Sequence, residues 1–142
     1  MAEPKWLSAE EMRAWQAFLA AGALLDRRLD QQLKEEAGLP HAQYEILVRL
    51  AGALYTSKSG LTYQITQLEK AGLARRGSWP GDVRGVVAAL TDAGRRRLEQ
   101  AAPGHVAAVR GLLIDVLTGE QLAAVADGLG EVARRLGAAT DD

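Results

Sequence analysis

Apolar side chains recur at helical intervals over most of the chain. Trp15, Phe18, Leu19, Leu25, Leu29 and Leu33 share one helix face and predict a long helix from about Ala9 to Glu36. Ser8-Ala9-Glu10-Glu11 opens it as a capping box, in which the serine caps the backbone and Glu11 reaches back. Gly38 stops the helix and Pro40 prevents it from resuming. A second helix, about 42–50, carries Tyr44, Leu47, Val48 and Leu50. The stretch "YTSKSGLTYQITQLEKAGLARR", residues 55–76, contains a third. Thr56 or Ser57 is its N-cap, and Gly72 is the residue past its end. Leu61, Ile65 and Leu68 form a buried stripe at i, i+4 and i+7. Ser59, Thr62, Tyr63, Thr66 and Lys70 lie opposite, with Lys58, Gln64 and Gln67 on the flanks.

The period then changes. Leu73 to Arg76 is short and extended, Gly77-Ser78-Trp79-Pro80-Gly81-Asp82 is turn-rich, and Val83 to Leu90 reads as a returning strand. The expectation is a two-stranded hairpin with arginines on both arms. Thr91 caps a helix that begins at Asp92, and Pro103-Gly104 should kink or break it. Thr118-Gly119-Glu120-Gln121 is a second capping box. It opens a last helix to about Leu136, on which Leu122, Val125, Leu129, Val132 and Leu136 keep near-heptad spacing.

Charge sharpens this outline. The net charge is only -1, but residues 44–97 hold nine Lys/Arg against four Asp/Glu, whereas residues 1–43 are at -2 and residues 98–142 at -4. A basic centre between acidic ends suggests that the middle meets a polyanion. With 142 residues, one domain is expected. No apolar run is long enough for a membrane span, and the N-terminus lacks the apolar core of a signal peptide, so a cytoplasmic protein is expected. The chain has no cysteine, which excludes disulfides, thiolate metal sites and thiol redox switching.

The residue types in the middle suit DNA. Short polar side chains on a helix can approach base edges in the major groove, and Lys or Arg beside them can meet phosphates. A hairpin arm with arginine can reach the adjacent minor groove, where negative potential is focused. The same polar face also suits a merely solvated helix. "ILVRL", "LYTSKSGLTYQITQLEKAGLARR" and "DVRGVVAALTDAGRRRLEQAAPGHV" together resemble the MarR family of transcriptional regulators. The specific part is Asp82-x-Arg84 followed by Leu90-Thr91-x-x-Gly94. The resemblance spans about Tyr44 to Val106, and the flanking helices agree with it in length and placement.

The resemblance implies a mainly α fold with a small β-hairpin wing. A winged helix-turn-helix lobe at about 42–97 would lie between dimerisation helices at about 8–38 and 104–140, all in one domain. It implies a homodimeric repressor on a pseudo-palindromic operator in double-stranded DNA. By position, Ser57, Lys58, Ser59, Thr62, Tyr63 and Gln64 would face the major groove or its phosphates, Arg75 and Arg76 would serve phosphates, and Arg84 would enter the minor groove. Asp82 would orient the wing arginines. A small aromatic or phenolic ligand would sit near Trp15 and Tyr44 and release DNA. The alternative is a dimeric small-molecule-binding or protein-interaction module that has lost DNA binding.

One departure favours that alternative. Only five residues separate Leu50 from Thr56, where the family pattern has a turn, a helix and a second turn. Either the helix is truly lost or a stretch is missing from the chain as written. The second reading is favoured, because loss would strip cover from Leu61 and Ile65. His41 and His105 lie far apart without ligand partners at metal spacing, so no metal site is expected. Neither an enzyme motif nor a cofactor motif stands out. Trp6 reads as a core or interface anchor, and Trp79 as a packing residue of the wing loop.

Overall fold

The computed structural model describes residues 3–52, 55–57, 62–77 and 86–138. Five helices dominate: α1 (Ala9–Ala37), α2 (His41–Gly52), α3 (Thr62–Lys70), α4 (Asp92–Leu112) and α5 (Gly119–Ala133). Three strands, β1 (Tyr55–Ser57), β2 (Ala74–Arg76) and β3 (Val86–Leu90), form one antiparallel sheet in the order β1-β3-β2. The fold is mainly α with a winged helix-turn-helix core, as expected from the sequence.

Local signals place the helix ends. The Ser8 hydroxyl accepts from the Glu11 N–H, the Ser8 N–H donates to the Glu11 carboxylate, and left-handed Gly38 (φ 67°) closes α1. The α3 terminus is a Schellman closure: the Leu73 N–H reaches the Leu68 carbonyl and the Gly72 N–H the Glu69 carbonyl, with Gly72 at φ 76°. Thr91 opens α4; its hydroxyl accepts from the Gly94 N–H at 3.0 Å and donates to the Gly72 carbonyl at 2.7 Å.

Four expectations need correction. Ser57 does not cap a helix. It ends β1, pairs with Val86, and α3 begins at Thr62. A hydroxyl ahead of an apolar run marks a strand end as well as an N-cap, and pairing to β3 decided between them. The hairpin therefore has a third strand. Pro103 does not break α4, which is continuous over Asp92–Leu112. The proline removes one N–H, while Ala101 packs on Leu33 and Tyr44 just before it. The short link after α2 does not strip cover from Ile65: β1 follows three residues after Gly52. Ile65 still has no exposure, because α2 itself covers it.

Two compact units can be described, residues 1–105 and 106–142. In the first, Leu39, Ile46, Leu47 and Leu50 meet Ile65, Leu68, Leu73, Ala74 and Ala88, so α2, α3 and the sheet share one core. Arg97 ties α4 to the end of α1 by donating to the Ala37 carbonyl at 3.1 Å. In the second, Thr118 and Gln121 cap α5 reciprocally. A π-type turn, Arg134–Ala138, follows α5 directly.

Candidate nucleic-acid interface

The third helix is held from below. Ile65 and Leu68, fully buried, fix its inner stripe against α2 and the sheet; Leu61 lies outside the described residues. That leaves the opposite face outward, where Tyr63 is 66% exposed and Lys70 is exposed. Gln64 sits on the flank, half-buried, and its side-chain oxygen accepts from Gln43 Nε2 at 3.2 Å. This bond fixes α3 to α2, so α2 braces the outward-facing helix.

The wing arginines differ. Successive residues of a strand face opposite sides, and on β2 Arg75 is exposed while Arg76 is half-buried. Arg76 donates from Nη2 to the Thr66 hydroxyl, and its backbone N–H approaches the Glu69 carboxylate at 3.4 Å. Its Nε lies 3.9 Å from Glu69. Arg76 thus couples the wing to α3, a role that sequence spacing did not reveal.

Thr62, Tyr63 and Gln64 stand together at the start of α3, and Arg75 and Arg76 lie on the adjoining strand. Ser57 lies on β1 at the sheet edge beside β3. Lys58, Ser59, Asp82 and Arg84 fall outside the described residues, as does Trp79. The expected ligand pocket is not gathered within one chain. Tyr44 is buried beside Leu33, whereas Trp15 is half-exposed and stacks on Phe18 at 6.3 Å. Trp15 precedes Leu29 by 14 residues of α1, or ~21 Å of helix at ~1.5 Å per residue.

The two histidines, expected apart, are together. Their ring centroids lie 5.8 Å from each other, and the Tyr44 ring packs against His105 at 4.4 Å, tilted by 48°. Burial, then the nearby charge of His41, holds His105 below the usual histidine value, with Glu45 pulling weakly the other way. His41 and Glu45 are four residues apart on a helix, which was the available signal.

Neither a scan against protein-family models nor a search of the curated proteins returns a match. Solved structures do match. A MarR family transcriptional regulator from Streptomyces coelicolor, solved in complex with DNA, is 38% identical, with 96% of this chain and 97% of that chain covered at a TM-score of 0.82. AbsC, a MarR family regulator from the same organism, is 36% identical over 94% of this chain and 98% of that one, at a TM-score of 0.83. At 16% identity the likeness is of fold alone: the organohalide-sensing regulator RdhR in its 2,4-dichlorophenol-bound form covers 94% of this chain and 86% of its own, at a TM-score of 0.73.

Proposed function

This chain belongs to the MarR family of transcriptional regulators, and from that premise we propose that it is a homodimeric repressor of double-stranded DNA. The single observation that carries the reading is the start of α3, which is anchored by Ile65 and Leu68 and turns Tyr63 outward beside the basic strand β2. Its 38%-identical relative was solved in complex with DNA. Thr62, Tyr63 and Gln64 read base edges or adjacent phosphates in the major groove. Arg75 meets a phosphate, and Arg76 sets the angle between wing and helix. Ser57, Lys58 and Ser59 belong to the approach to α3, while Arg84 enters the minor groove and Asp82 orients it.

Dimerisation is supported by apolar surface on the terminal helices. Trp15, Phe18, Leu19 and Leu24 are about half exposed on α1, and Leu129 and Val132 are similarly exposed on α5. Such faces mark subunit interfaces. Two α3 helices related by a two-fold axis would then meet successive major grooves of a pseudo-palindrome. Release by a small aromatic or phenolic ligand is the finer part of the proposal. Its support is the fold shared with a regulator solved with a chlorophenol; Trp15 would join such a site from the partner subunit.

The rival, a dimeric module without DNA binding, draws on the nine-residue link between α2 and α3. Fluorescence anisotropy with genomic DNA fragments across a salt series separates the two. Log affinity falls linearly with log salt, by about 0.9 per phosphate neutralised, in the DNA reading. Absence of binding at low salt would establish the rival.

A further inference from the structure

His105 is an unusual residue to bury. It is 8% exposed, and its Nδ1 has no hydrogen-bond partner. A buried imidazole nitrogen without a partner loses its solvation and gains no hydrogen bond in return. His41 faces it from the first turn of α2, and Glu45 stands one turn further on. One donor atom from each of His41, Glu45 and His105 lies within 4.8 Å of the other two.

The geometry points to a binding site for a zinc-class divalent metal ion formed by His41, Glu45 and His105, with Asp26 positioning His41. The Nε2 of His41 lies 3.2 Å from Glu45 Oε1. That matches the edge of a tetrahedron whose metal–ligand bonds are ~2.0–2.1 Å, about 3.3 Å. The other face of the His41 ring is committed: Nδ1 lies 2.9 Å from Asp26 Oδ1. A carboxylate on one ring nitrogen fixes the tautomer and turns the other nitrogen's lone pair toward the metal. The backbone of His41 is anchored too, donating to Asp30 Oδ1 at 2.9 Å, and Asp30 is itself paired with Lys34 at 2.8 Å.

The donor chemistry selects the ion. Two imidazoles and one carboxylate are the ligand set of open zinc sites, which keep a fourth position for water or another ligand. The absence of cysteine removes the thiolate donors that draw copper(I). The Glu45 side chain is 51% exposed, so an ion can enter from solvent. A purely structural role accounts for His41, both of whose nitrogens are paired, and leaves the Nδ1 of His105 unexplained. A bound ion would clamp α2, which braces α3, to α4.

Cobalt(II) titration of the full-length, metal-stripped chain tests this, with zinc competition as the second arm. The expected result is one cobalt per chain with the intense visible bands of tetrahedral nitrogen/oxygen coordination, displaced by one equivalent of zinc. His41→Asn and Glu45→Gln abolish those bands while far-UV circular dichroism in chelator stays unchanged. Asp26→Asn weakens binding by about 10–100-fold without removing the bands. No stoichiometric binding by the native chain, or equal affinity and spectrum in His41→Asn and Glu45→Gln, would overturn the proposal.

Discussion

Gly94 brings α4 close against the turn after α3. A Cβ added there would stand 2.1 Å from the Leu73 carbonyl oxygen and 2.8 Å from Leu90 Cδ1. The first of these neighbours is backbone, so no rotamer change relieves the clash, and the two segments must part by about 1 Å to reach van der Waals contact. The same carbonyl accepts the Thr91 N–H at 3.2 Å, so the separation also strains a hydrogen bond worth about 1 kcal/mol. With about 1–3 kcal/mol for overpacking, Gly94→Ala should destabilise the protein by roughly 2–4 kcal/mol in sum. At a urea m-value near 2 kcal/mol/M, the midpoint falls by about 1–2 M. Gly22→Ala is the control, because nothing lies within 4 Å of its Cβ position on α1. It should gain about 0.5–1 kcal/mol from helix propensity. Urea unfolding followed by circular dichroism at one protein concentration measures both. A Gly94→Ala midpoint equal to the native one, or shifts of the same sign in the two variants, would refute the close packing of α4 on Leu73.

Thr91→Val keeps the shape but loses the bonds to Gly94 and Gly72, so it should cost about 0.5–2 kcal/mol in the same assay. Arg75→Ala should lower the salt slope of DNA binding by about 1, and Arg76→Ala, which removes the link to Thr66 and Glu69, should lower both the urea midpoint and the affinity. His105 has a lowered pKa in the folded chain, so the unfolded chain binds more protons below the ordinary value of 6.5. Stability measured in chelator should therefore fall as pH drops below about 6.5, and His105→Gln should flatten that slope; an unchanged slope would contradict the burial of the imidazole.

What was legible in the sequence was local. The capping boxes at Ser8 and Thr118 and the glycine stops at Gly38 and Gly72 depend on neighbours three to six residues away, and each formed as read. The Ile65–Leu68 stripe and the hairpin arms followed from period alone. Ser57 is ambiguous in the sequence because hydroxyl residues serve strand ends and helix caps alike, and only pairing with Val86 on β3 separates them. Pro103 does not break α4, because propensity alone leaves out the packing of Ala101 on Leu33 and Tyr44. Spacing does not show that α2 covers Ile65 without an extra helix, because that contact joins two elements. In the candidate interface, the order Thr62, Tyr63, Gln64 could be read, but the turning of Arg76 onto Thr66 could not. The pairing of His41 with His105 depends on how α2 and α4 pack, which no spacing within the sequence encodes.

If two copies of this chain read DNA through α3 and the wing, selection of bound duplexes from a random pool, followed by sequencing, recovers a symmetric site. Enrichment of a pseudo-palindrome with half-sites about one helical turn apart is the predicted result, and its loss with Tyr63→Ala would place the reading on α3. A native chain that enriches no sequence above the input pool would contradict the account.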